Sequence, residues 1–211
     1  MNVPQSQSSG SSPLLMYQPY NIAVLLTFYS PIIIAISVLS MSFVSQNFKG
    51  IIYLVYLLLF SWLRSLGLEI SGSTKMDARP GDICTMVQYS QYGNSSFSMF
   101  FIAFSLVYIC APMFFNQQIN YWIFSGLLFY YLLDLGVRFY SGCVQKTSEV
   151  LLHTVIGLAS GIISVMVMYG TNTQKYLFFN ETSSTKDVCT MPSKQTFKCS
   201  VYKNGELVGT V

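Results

Sequence analysis

The stretch SSFSMFFIAFSLVYICAPMFFN, Ser95 to Asn116, decides the fold. It has no charged side chain over a length that crosses a bilayer as a helix, roughly 20 residues. Four more apolar segments accompany it, at about 19–46, 50–67, 119–138 and 149–170. Of 211 residues, 52% are hydrophobic, 16% aromatic and only 9% charged, against about 25% charged in an ordinary soluble domain. The pattern predicts an all-α, polytopic membrane helical bundle of about five transmembrane helices. The net charge of +3 is too small and too dispersed to argue for a nucleic-acid partner. Membrane lipids and other membrane-protein subunits are the partners such a chain implies. It is read as a multi-pass integral protein, with endomembrane and plasma membrane both open.

Working outward, residues 1–18 read as a disordered, Ser/Gln-rich tail. The tail lacks the basic start of a cleaved signal, so the first apolar segment reads as a retained anchor. That segment contains Pro31, which predicts a kink. The links Asn47–Lys49 and Asn116–Gln118 are short, which predicts two antiparallel helical hairpins. The 68–94 loop is long and holds Lys75, Asp77, Arg79 and Asp82. Five crossings put this loop and the 139–148 loop on one face with the N-terminus. Counting Lys and Arg near the spans favours a cytoplasmic N-terminus. The bundle is read as residues 19–170 and the extramembrane tail as 171–211. Alternating runs around Asn204-Gly205 predict a small C-terminal β-hairpin there. Cys189 and Cys199 are either a disulfide or two free thiols, with Cys84, Cys110 and Cys143 leaving an odd total. Asn94-Ser95-Ser96 and Asn180-Glu181-Thr182 both fit the glycosylation acceptor pattern. They fall on opposite faces, so at most one is usable.

Polar groups recur in a fixed order beside the central spans. Lys75-Met-Asp-Ala-Arg79-Pro80 comes first, then Tyr92-Gly93-Asn94-Ser95-Ser96-Phe97 at a helix start. After a helical hairpin come Arg138 and, at the next helix start, Glu149. This order resembles the type 2 phosphatidic acid phosphatase superfamily, over about residues 75–170. That family reads Lys, six residues, Arg-Pro; then Pro-Ser-Gly-His; then Ser-Arg, five residues, His, three residues, Asp. The resemblance implies a phosphate or head-group site made by Lys75, Arg79, Asn94, Ser95 and Arg138, with Glu149 in support. Arginine can bind phosphate bidentately, and a helix start adds N–H donors. The reacting parts differ. Asn94 stands where the family has its attacking histidine, and Val144 and Gln145 stand where it has the second. An amide cannot shuttle protons near neutral pH as an imidazole does. The expectation is a pseudoenzyme with no catalytic residue. It would bind an anionic lipid head-group or a membrane partner. The alternatives are an unrelated accessory subunit of a membrane complex and, third, an active lipid phosphatase.

Three further features carry plainer readings. Asp134 lies four residues before Arg138 in the same apolar segment and reads as its i,i+4 ion-pair partner. His153, the sole histidine, reads as a hydrogen-bonded structural residue. Gly157-Leu-Ala-Ser-Gly161 permits close helix contact. No metal-ligand spacing or cofactor fingerprint occurs, so no cofactor is expected.

Overall fold

Proline and short turns shape the first half of the chain. The structure is a computed structural model that describes residues 19–73, 75, 84, 87–144, 146–179 and the backbone of 200–203 and 206–210. Helix α1 (Pro19–Phe28) and helix α2 (Ser30–Val44) are bent by 71° at Tyr29. Pro31 sits in the first turn of α2, where its missing N–H and fixed φ suit a helix start. The kink expected from Pro31 is therefore a full break. Helices α3 (Lys49–Ile70), α4 (Asn94–Phe115), α5 (Tyr121–Tyr140) and α6 (Thr147–Gly170) follow, then a 3-10 turn at Gln174–Tyr176. Each of α3 to α6 is long and apolar enough to cross a membrane, and α1 with α2 would make a fifth crossing if the bent pair is one span.

The links are tight for identifiable reasons. Between α2 and α3, Gln46 takes a left-handed φ of 49°, and the Ser42 hydroxyl accepts from Gly50 N at 3.0 Å. A side chain at Gly50 would collide with Ser42, so this hairpin needs glycine there. Between α4 and α5, Asn120 caps α5 by accepting from Trp122 N and Ile123 N. Both hairpin turns lie at one end of the bundle. The described residues between α3 and α4 and those of the α5–α6 link lie at the other, joined by Cys84 and Cys143.

Helix α4 is the axis of the bundle. Within its apolar window 72% of residues are buried, against 11% for α5. Met99, Phe100, Ile102, Phe104, Tyr108 and Met113 of α4 are wholly enclosed. Of these, Ile102, Phe104, Tyr108 and Met113 share one core cluster with Ile34 and Val38 of α2, Tyr53 and Leu57 of α3, and Val165 and Met168 of α6. The Tyr53 hydroxyl finds Ser105 at 2.7 Å, so a buried phenol on α3 is satisfied by α4. Helix α6 approaches closest. A Cβ at Gly157 would land on the Phe100 carbonyl, and one at Gly161 would meet Val107. The small residues thus serve packing within the bundle.

Residues 181–211 form a separate unit. In it β1 (Ser200–Lys203) pairs antiparallel with β2 (Glu206–Thr210), with Lys203 opposite Glu206 and an irregularity at Val201/Tyr202. Asn204 and Gly205 lie outside the described residues, as do the 1–18 tail, Cys189, Cys199 and Asn180.

Replacing Gly157 with Val forces α6 away from α4, and overpacking of this kind costs roughly 1–3 kcal/mol. The thermal unfolding midpoint in detergent should fall clearly. Gly126→Ala, where a methyl meets nothing within 4 Å, should leave it unchanged.

Candidate functional site

The break between α1 and α2 leaves carbonyls without helical partners inside an apolar bundle. Pro31 has no N–H for the carbonyl four residues earlier, that of Thr27. Thr27 is itself fully buried. Arg138 of α5 supplies the donor: its Nη2 reaches Thr27 O at 3.0 Å. Neighbouring carbonyls are treated alike, since Tyr130 Oη donates to Leu26 O at 2.8 Å and Tyr89 Oη to Phe28 O at 3.0 Å. Burial raises the Tyr89 phenol above its ordinary value, which keeps it a donor.

Arg138 is wholly enclosed, and its charge is matched one turn away. Its Nε lies 2.8 Å from Asp134 Oδ2. Asp134 also accepts from Ser30 Oγ at 2.9 Å and from Ser98 Oγ at 3.3 Å. Arg138 Nη1 reaches Ser95 Oγ at 3.5 Å, and the guanidinium sits 5.0 Å from the Phe28 ring centre. The expected i,i+4 pair exists, and both of its side chains are fully buried. This corrects the expectation for Arg138 as a head-group ligand. Its donors are held by Asp134, Thr27 and Ser95, and no surface of it is open.

Asn94 is likewise engaged. Gly93, at φ 111°, delivers it to the first position of α4. Its Oδ1 accepts from Tyr89 N at 2.9 Å and Ser90 N at 3.4 Å. Its Nδ2 donates to Val87 O at 2.7 Å and Cys84 O at 3.2 Å. An amide both donates and accepts, which suits it to clamp a loop backbone from one point. The same loop is tied covalently. Cys84 and Cys143 form a disulfide, with Cα atoms 5.4 Å apart across 59 residues of sequence. Ser95 Oγ donates to Cys143 O at 3.0 Å. The two loops that five crossings put on one face are joined by this disulfide. The cavity between them, lined by Asn94, Ser95, Cys143, Lys146 and Glu149, holds about 30 Å³. That is room for about one water molecule. Glu149 is exposed and pairs with Lys146 at 3.3 Å. Arg79 lies outside the described residues.

A larger groove lies beside α3. It measures about 460 Å³, and Ser61, Trp62, Arg64, Glu69, Lys75 and Tyr89 are among the residues lining it. Lys75 therefore belongs to this groove, while Arg138 lines neither cavity. Arg64 is 7% exposed. Its Nε donates to His153 Nδ1 at 3.3 Å, so a neutral His153 carries its proton on Nε2. The guanidinium also lies 5.7 Å from the ring centres of Phe97 and Phe100. Arg64 Nη2 has no hydrogen-bond partner among the described residues. Arg64 belongs to none of the motifs read from the sequence. The signal that marks it is an arginine inside the otherwise apolar run LLLFSWLRSLGL. Such a residue is a functional candidate by default. Among the described residues, no group of His, Cys, Asp and Glu could hold a metal ion.

No family model matches the chain, nor does any curated protein or solved structure.

Asp134→Ala should leave Arg138 buried without its counter-charge, a loss of roughly 3–5 kcal/mol. The double change Asp134→Leu/Arg138→Met should recover part of that loss but not all, because the Thr27 carbonyl is then unpaired. Detergent unfolding midpoints order the three proteins. Digestion without reductant should yield one linked peptide pair containing Cys84 and Cys143.

Proposed function

We propose that this is a multi-pass integral membrane protein that is not an enzyme and that holds an anionic lipid head-group at its loop-bearing face. The reading keeps the kinship with lipid phosphatases as a proposal: the order of the polar elements is family-like, and their work is structural. The observation that carries the non-catalytic part is Asn94. It stands in the nucleophile's place with its carbonyl and its amide both bound to loop backbone. General acid–base work on a phosphate ester needs a group that titrates near the working pH and is free to reach the substrate. Neither condition is met there, and the space beside Asn94 is too small for a phosphate ester.

What supports the binding part is the groove beside α3. It carries two cations, Arg64 and Lys75, against one carboxylate, Glu69. Helix α3 has 22 residues, a rise of about 33 Å, which matches the roughly 30 Å hydrocarbon core. Arg64 then lies about 9 Å short of the Ile70 end, roughly 7–8 Å inside the hydrocarbon boundary for a centred helix, so a head-group must reach inward to meet it. The disulfide adds an orientation. Disulfides persist in oxidising compartments, so Cys84–Cys143 points the loop-bearing face away from the cytosol. That reverses the side favoured by charge counting. Loop cations engaged in binding give a misleading charge bias.

The purified protein should show no turnover of phosphatidic acid, and Asn94→His should not create any. It should retain phosphatidylglycerol in preference to diacylglycerol in detergent micelles. Robust hydrolysis would remove the non-catalytic reading. Equal retention of the two lipids, with a larger membrane complex co-purifying in fixed stoichiometry, would favour the accessory-subunit reading instead.

A further inference from the structure

The geometry points to a more specific ligand for the α3 groove: the phosphoserine head-group of a membrane lipid, with its phosphate on Arg64 and its ammonium at Glu69. The inference rests on the head-group reading above and goes beyond it by naming which group meets which side chain.

Arg64 is the anchor. It is more than nine-tenths buried, it lines the groove, and its Nη2 is unpartnered among the described residues. A buried guanidinium N–H left without an acceptor is costly, and more so than a neutral donor. The rest of the side chain is already positioned. His153 fixes Nε, and the rings of Phe97 and Phe100 hold the guanidinium between α3 and α4. A phosphate reaching it meets a preorganised cation with little ordering left to do.

The charges along the groove alternate from its depth toward the water. Arg64 comes first. Glu69 is on the same helix, about 7.5 Å nearer the aqueous end by helix rise. Lys75 lies past the end of α3 at Ile70. Glu69 and Lys75 are both exposed. A carboxylate in this position works against a purely anionic ligand. It suits one that places a cation outside its phosphate. Phosphoserine presents phosphate, then ammonium beside carboxylate, which answers Arg64, Glu69 and Lys75 in turn. Tyr89 and Tyr92 line the loop wall of the groove.

The groove also has a lipid side. Leu58 and Trp62 line it, and they are 64% and 59% exposed on the outer surface of α3. A diacyl lipid can lie along these residues with its head-group turned into the groove. A soluble anion would not use them. The opposite wall is the 89–92 segment, held by Asn94 and Cys84–Cys143. The site is therefore open to the bilayer on one side and bounded by the clamped loop on the other.

The test is titration of the full-length protein in detergent with acyl-labelled phosphatidylserine, phosphatidylglycerol and diacylglycerol. The serine lipid should bind about tenfold more tightly than the glycerol lipid, as one charge-assisted hydrogen bond would give. R64Q should weaken both phospholipids at least tenfold. E69Q should abolish the serine preference while keeping phospholipid binding. Because Arg64 is buried, S65W serves as a second variant. It fills the groove from an exposed position and should weaken binding to the same extent, with the elution volume unchanged. Lys49→Gln, at the far end of α3, should bind as the parent does. Glycerophosphoserine and inorganic phosphate are added as competitors. If millimolar concentrations of either displace the lipid completely, the site belongs to a soluble anion and the inference is overturned. It is also overturned if the two phospholipids bind equally, or if R64Q and S65W bind as tightly as the parent. If the parent protein binds neither phospholipid better than diacylglycerol, the head-group reading itself fails.

Discussion

A proline inside an apolar bundle creates an unpaired carbonyl, and much of the interior is organised around satisfying it. Pro31 cannot donate to Thr27 O, and Arg138 does so from another helix. Bringing a guanidinium to that point requires a counter-charge, and Asp134 supplies it one turn earlier on α5. The carboxylate in turn needs donors, which Ser30 of α2 and Ser98 of α4 provide. One broken helix, the central helix and α5 are thereby locked in a single arrangement. In a medium without water each of these polar groups must be satisfied by protein. The network is satisfied at nearly every atom, and that completeness makes Arg138 a structural residue.

The loop-bearing end is built on a second constraint. Asn94 and Cys84–Cys143 tie the segment before α4 to the start of α4 and to the α5–α6 link. These ties leave only a small cavity at the start of α4. They also hold Tyr89 to Tyr92 as a wall facing α3. Closing one cavity and walling another are two results of the same clamp. The open groove then falls at Arg64, which α6 steadies through His153 and α4 through two phenylalanine rings.

Much of the helical layout was legible because the bilayer is a demanding solvent. Apolar runs around 20 residues long, Pro31, and two short polar links led directly to helices, a kink and two hairpins; that the kink is a full break was not legible. The Asp134–Arg138 pair was legible from its spacing, and His153 from having no ligand-forming neighbours. Other features had no local signal. Cys84 and Cys143 are 59 residues apart and became partners only because two loops converge. Arg138 and Arg64 look alike in sequence, each a lone cation at an apolar segment. Only packing assigned one to the interior and the other to a groove.

The sequence by itself determined that the chain is helical and apolar enough for a membrane. These properties follow from composition and from the length of single apolar segments. The tertiary structure decided which helix lies at the centre, which cysteines join, and which arginine keeps a donor without a partner. Those outcomes depend on contacts between segments far apart in the chain. An apolar helix has no mark along its length to say whether lipid or protein will cover each face.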